Sequence, residues 1–190
     1  AVFFIGVGQS ENNTGGRAVV AVNVLTGDVV RKFADVTTYT TDTAHTTDTN
    51  IYYSVPSTVK VIDEDNNGFV DKVYVGDLGG QMWRIGKFTD ETTGDTLNFP
   101  ECDENIMTWT AEILFVSDPL YQRKFYYPPS VTLEKGYDLV FVGTGDRDDS
   151  CNTTSSDRIY ALKDDHSIND NHTKPALIES DLVNVTDPAA

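Results

Sequence analysis

The chain has 190 residues, enough for one domain or two small ones, and its 39% hydrophobic content can fill a core without staples. Thirty acidic residues against 14 basic ones give a formal net charge of −16. Such a surface repels phosphate backbones and anionic lipid, which argues against nucleic acid and against membrane adsorption. It favours cations, Ca²⁺ in particular where carboxylates cluster, although acidity also simply keeps a secreted protein soluble. No apolar run approaches the ~20 residues of a membrane helix. The chain has neither a signal peptide nor an initiating Met, and opens at Ala1 directly into a strand, as a processed product or a piece of a longer chain would.

In chain order, strands are expected at residues 1–8 (AVFFIGVG), 17–24 (RAVVAVNV) and 28–33 (DVVRKF). These runs are rich in Val, Ile and Phe and are punctuated by Gly, Asn and Asp. The Thr-rich stretch Thr37 to Thr49 reads as a long exposed loop. Further strands follow at 58–63 (TVKVID), 69–76 (FVDKVYVG), 81–88 (QMWRIGKF), 113–117 (ILFVS), 138–145 (DLVFVGTG) and 157–163 (DRIYALK). No window holds a 3.6-residue apolar period over three turns, so the fold class is all-β.

Three segments repeat an aromatic, a hydrophobic residue and then Gly. Aligning Gly6, Gly76 and Gly143 gives a period of roughly 70 residues. A turn and a second strand follow each. This pattern predicts a β-propeller-like fold of about three blades from a larger, incomplete ring, since closed propellers have at least four. A sandwich of repeated hairpins is the alternative. Residues 1–165 would form the partial propeller, and 166–190 a polar tail or a linker to a further module.

The sharpest local feature is DEDNNGFVD, residues 63–71. Asp63, Asp65 and Asn67 stand at loop positions one, three and five. Gly68 takes position six, where the chain must turn sharply. Phe69 offers a backbone carbonyl at seven, and Asp71 stands at nine. Alternate side chains in a tight loop converge on one centre, and hard oxygen ligands suit Ca²⁺. Position twelve is Tyr74 rather than the bidentate Glu of a helical EF-hand, and both flanks read as strands. The expectation is therefore a β-hairpin calcium loop with ligands Asp63, Asp65, Asn67, Phe69 and Asp71. An Asp/Asn/Gly turn without metal is the plain alternative. Glu64, at an even position, is expected to point away from that centre. A second cluster, Asp146, Asp148 and Asp149, lacks the turn Gly and is interrupted by Arg147; it reads as a solvated loop.

Cys102 and Cys151 sit in polar, turn-like stretches that match neither a redox CxxC nor a zinc site. A disulfide between them would stabilise the fold by ~4 kcal/mol in the chain-entropy model and imply an oxidising compartment; two free thiols are the alternative. Trp83 is expected in the core with Arg84 facing outward, because side chains alternate along a strand. Trp109 reads as a second packing residue. Four N-x-[ST] sequons, at Asn12, Asn152, Asn171 and Asn184, arise readily in an Asn- and Thr-rich chain.

The segment DEDNNGFVDKVYVGDLGGQMWRIGKF resembles the signature of the PilY family, the type IV pilus tip-associated adhesins. There a D-x-D-x-[ND]-G-x-x-D loop runs into a Y-x-G-D-L-x-G-x-x-W-[RK] hairpin, matched here by Tyr74, Gly76, Asp77, Leu78, Gly80, Trp83 and Arg84. The flanking segments, over about residues 1–165, are similar in order. The resemblance implies the carboxy-terminal, calcium-binding propeller of a large secreted protein at the pilus tip, exported through the periplasm. It implies roles in pilus assembly, surface adhesion and twitching motility, with calcium occupancy tied to extension against retraction. Implied partners are minor pilins and the remainder of the same adhesin. The family's amino-terminal adhesive region and earlier blades have no counterpart here.

Two other readings compete. An FG-GAP or integrin-like propeller repeat carries the same loop before a DLVVG-like strand, but a Trp-Arg strand directly after the turn favours the PilY family. A quinone-dependent dehydrogenase propeller also carries tryptophan hairpins. Against an enzyme, His45, His166 and His172 all fall in polar loops, and there is no nucleophile elbow, phosphate loop or apolar carboxylate pair.

Overall fold

The computed structural model describes residues 1–10, 14–35, 46–48, 50–87, 106–121, 123–151, 156–165 and 176–186. Among these described residues the regular structure is β, apart from three one-turn 3-10 segments, in three separate sheets. The first sheet contains β1 (Val2–Gly6), β2 (Ala18–Asn23), β3 (Val29–Ala34) and β4 (Thr46–Asp48) in that order. β1 to β3 form an antiparallel meander, and β4 runs parallel to β3. The β2–β3 turn closes at Gly27, which has φ 77°, while the Asn23 side chain accepts the Leu25 N–H at 2.9 Å. The left-handed region favours Gly there.

The second sheet contains β5 (Lys60–Ile62), β6 (Lys72–Gly76), β7 (Gln81–Gly86) and β8 (Thr110–Val116), all antiparallel. A fifth strand, β12 (Leu177–Ile178), adds in parallel beyond β8. The third sheet is a meander of β9 (Ser130–Glu134), β10 (Tyr137–Gly143) and β11 (Ile159–Asp164). Among the described residues no helix is long and apolar enough to cross a membrane.

Each of the nine expected strand runs overlaps a strand of the structure. The three repeat glycines, Gly6, Gly76 and Gly143, are the last residues of β1, β6 and β10, one in each sheet. The repeat therefore marks one propeller-like blade per sheet. At Gly76 a Cβ would stand 2.3 Å from the Phe125 Cβ, so side-chain bulk is excluded by packing. Three strands depart from expectation. β4 lies in the Thr-rich stretch read as a loop, and β9 is a mostly exposed strand whose apolar signal is correspondingly weak. Within the presumed tail, β12 joins the second sheet. Glu179 just beyond it takes an ion pair from the buried Arg123 and hydrogen bonds from the Tyr160 hydroxyl at 2.6 Å and the Asp118 N–H at 2.9 Å.

The second sheet is covered on both faces, which explains the unbroken burial of β6. Val73, Val75, Trp83 and Ile85 pack toward Phe4, Val19, Ala21 and Phe33 of the first sheet. Trp109 joins that cluster, its ring stacked on Phe4 with centroids 5.5 Å apart. On the opposite face Tyr74, Met82 and Phe115 pack with Val140, Val142, Tyr160 and Leu162 of the third sheet.

This arrangement corrects the reading of Arg84. Alternation does send Trp83 and Arg84 to opposite faces, but the Arg84 face is roofed by the third sheet, and Arg84 is only 4% exposed. Its guanidinium pairs with Asp164 at 2.5 Å and Glu112 at 2.8 Å.

Candidate metal centre

The 63–71 loop joins β5 to β6 at the edge of the second sheet. Its base is the hydrogen bond from the Asp71 N–H to the Ile62 carbonyl, 2.8 Å. Two residues take the left-handed conformation the tight path requires, Asn66 at φ 59° and Gly68 at φ 92°. Asn tolerates that region better than most residues, and Gly adopts it freely.

The acidic side chains organise the turn from inside. Asp63 accepts the Asn67 N–H at 3.1 Å and the Gly68 N–H at 2.8 Å. Asp65 accepts the Asn67 N–H at 3.0 Å and the Asn67 side-chain amide at 3.0 Å. Asn67 Oδ1 accepts the Phe69 N–H at 2.8 Å, and Asp71 Oδ2 accepts the Glu64 N–H at 2.6 Å. Carboxylate oxygens of Asp63, Asp65 and Asp71 lie within 4.8 Å of one another. Asp71 is buried at 4% exposure while Asp65 is exposed. Phe69 turns a 53% exposed side chain outward.

The structure thus brings together the three expected carboxylates and sets Asn67 beside them through its bond to Asp65. Three like charges so close repel unless a cation neutralises them. The donor set is all hard oxygen, with no sulfur or imidazole, and this chemistry fits Ca²⁺ or another hard divalent ion.

Glu64 is outside that cluster, but it is not idle. Its carboxylate pairs with the Lys72 ammonium at 2.8 Å, and Lys72 is fully buried. Lys72 also reaches Asp138 of β10 at 2.5 Å. The Tyr74 hydroxyl, shared at 2.8 Å between Asp138 and Asp164, continues the chain of polar contacts to Arg84. Burial, reinforced by the two aspartates, holds the Tyr74 phenol well above its ordinary range. For Arg84, burial is the largest influence and lowers the pKa, but Asp164 and Glu112 together outweigh it, so the guanidinium stays charged. Sequence reading missed this network. Its signal is the alternation of Lys72 and Tyr74 on one strand, opposite Asp138 and Asp164 at the two paired ends of β10 and β11.

Asp77, from the hairpin after β6, is fully buried. One carboxylate oxygen accepts the Gly79 N–H at 2.8 Å and the Gln81 N–H at 3.0 Å; the other accepts the Trp83 indole N–H at 2.8 Å. Burial pushes its pKa up to about 7, against the opposing pull of these donors. A folded pKa above the unfolded one means stability present in acid that is lost as pH rises from about 4 through about 7. Urea melts across this window should show Asp77 weakening wild type as pH rises. Asp77→Asn, which cannot titrate, should remove that component, and the two stability curves should change their separation between those limits. Parallel curves would mean Asp77 keeps an ordinary pKa.

The second acidic cluster behaves as a structured loop. Asp146 accepts from Lys124 at 2.8 Å and from the N–H groups of Asp148 and Asp149, and Asp148 accepts from the Tyr126 hydroxyl and from Gln9. Cys151 is a free, exposed thiol. Cys102, the partner expected for it, lies outside the described residues, as do His45, His166 and His172.

No family model matches the chain. Over 79 residues it is 36% identical to a type IV pilus biogenesis factor PilY1 homolog of Xylella fastidiosa (strain Temecula1 / ATCC 700964), a match covering 41% of this chain and 5% of that protein. The chain therefore spans a small part of that relative. Its fold is similar to that of the Pseudomonas aeruginosa PilY1 C-terminal domain, with TM-score 0.50 and 20% identity, covering 78% of this chain and 31% of the solved one. One likeness is of sequence, over 79 residues, to a PilY1 homolog; the other is of fold, to the PilY1 C-terminal domain.

Proposed function

We propose that this chain is the calcium-binding, propeller-type part of a type IV pilus tip adhesin, which supports pilus assembly, surface adhesion and twitching motility. Its relative in Xylella is a pilus biogenesis factor, and that supports a pilus-related role at the cell surface. The observation that carries the calcium reading is the convergence of Asp63, Asp65 and Asp71 oxygens within 4.8 Å on a hairpin loop. Asn67 and the Phe69 carbonyl complete the proposed ligand set. Bound there, Ca²⁺ supplies charge neutralisation and a cross-link rather than catalysis. The residues do the rest: the carboxylates orient the loop, and Asp71 ties it to β6 through the neighbouring Lys72. The partners we infer are minor pilins and the remainder of the same adhesin.

Calorimetric titration of Ca²⁺ tests this reading. Wild type should bind one ion, in the micromolar or weaker range because position twelve carries no Glu. At a hundredfold excess over the dissociation constant the fold should gain ~2.7 kcal/mol. Asp65→Ala removes an exposed ligand without opening the core, and should weaken binding. Equal binding by both proteins, or a wild-type melting temperature insensitive to Ca²⁺, would contradict the reading.

A further inference from the structure

The calcium reading concerns one loop at one edge of the second sheet, yet that loop is wired into the packing between the second and third sheets. Asp71 belongs to the carboxylate cluster, and its Oδ2 also accepts the backbone N–H of Glu64. Glu64 in turn holds the ammonium of Lys72, the residue after Asp71, at 2.8 Å. Lys72 has no solvent exposure and spans to Asp138 of β10, itself fully buried, at 2.5 Å. A buried ammonium cannot drift from its carboxylates without a large desolvation cost. Any shift of Glu64 as the loop carboxylates splay or gather is therefore imposed on Lys72, and through it on Asp138.

We propose, resting on the calcium reading, that Glu64, Lys72 and Asp138 form a relay coupling ion occupancy of the 63–71 loop to the packing of the third sheet on the second. With the carboxylates gathered, Glu64 sits where Lys72 can serve both partners, and the third sheet is held at its Asp138 end. With the carboxylates splayed by mutual repulsion, Glu64 moves, Lys72 loses one partner, and the grip on β10 weakens. Such coupling is reciprocal: whatever the ion does for the third sheet, the third sheet's anchor does for ion affinity.

The experiment pairs hydrogen exchange with calorimetry on the whole chain, using Ca²⁺ as the probe. In wild type, Ca²⁺ should slow amide exchange in β10 and β11 as well as in the loop. Asp138→Asn removes the relay's anchor while leaving every proposed ligand in place; it should weaken Ca²⁺ affinity by about fivefold or more and abolish the slowing in β10 and β11. Asp164→Asn makes the same charge change in the same interface, but its ion pair is with Arg84. It should leave Ca²⁺ affinity within about twofold of wild type. Wild-type Ca²⁺ binding without slowed exchange in β10 and β11 overturns the relay while the calcium reading stands, and so does an equal loss of affinity in the two Asn variants. No Ca²⁺ binding by wild type overturns both.

Discussion

Replacing Arg84 by Met should destabilise the protein by about 3–5 kcal/mol, the cost of removing one partner from a buried ion pair. Arg84 is 4% exposed, and its guanidinium sits between Asp164, 1% exposed, and Glu112. Met matches much of the volume, so the loss comes mainly from stranding the two carboxylates, Asp164 above all. Since small domains are stable by ~5–15 kcal/mol, the variant should remain foldable but shift its urea midpoint markedly. A double variant that also replaces Asp164 by Leu should recover part of the loss, because an apolar pair leaves no buried charge at that position. A loss below about 1 kcal/mol, the range of exposed surface pairs, would mean that the third sheet does not roof this face.

Trp83→Ala should cost about 3–5 kcal/mol through lost burial and the cavity left behind. Trp83 is 1% exposed and packs among Val73, Val75 and Ile85 in the cluster joining the first and second sheets. Its indole N–H also satisfies one oxygen of the buried Asp77, so the truncation leaves that carboxylate short of a donor. Trp83→Phe separates the two contributions: it keeps most of the apolar area and loses the hydrogen bond, and its cost should be clearly smaller than that of Ala. Equal costs for Phe and Ala would assign the whole effect to the Asp77 contact.

Much of this architecture was legible in the sequence because the strand period is local. Val73, Val75, Trp83 and Ile85 announce one buried face by alternation alone, and Gly6, Gly76 and Gly143 mark equivalent strand ends in the three sheets. The loop was legible for the same reason: the spacing of Asp63, Asp65 and Asp71 is a property of nine consecutive residues. What was not legible depends on partners far along the chain. Alternation gave Arg84 the right direction but could not say that β11, some 80 residues later, covers that face. Nothing local to Lys72 announces its burial, which depends on Asp138 being brought against it from far along the chain. Glu64 reads as a bystander at an even loop position until Lys72 is seen to be buried beneath it. β4 carries the sequence Thr-Thr-Asp, which has no apolar pattern, and it is a strand only because β3 offers it an edge.

The most direct measurement is a crystal structure of the chain grown with Ca²⁺, examined for anomalous density at the 63–71 loop. The account predicts one ion there, held by Asp63, Asp65, Asn67, the Phe69 carbonyl and Asp71 at about 2.3–2.6 Å. Lys72 should remain bridged to Glu64 and Asp138. A loop without density at saturating Ca²⁺, or an ion bound elsewhere while Asp63, Asp65 and Asp71 stay clear of it, would contradict the account.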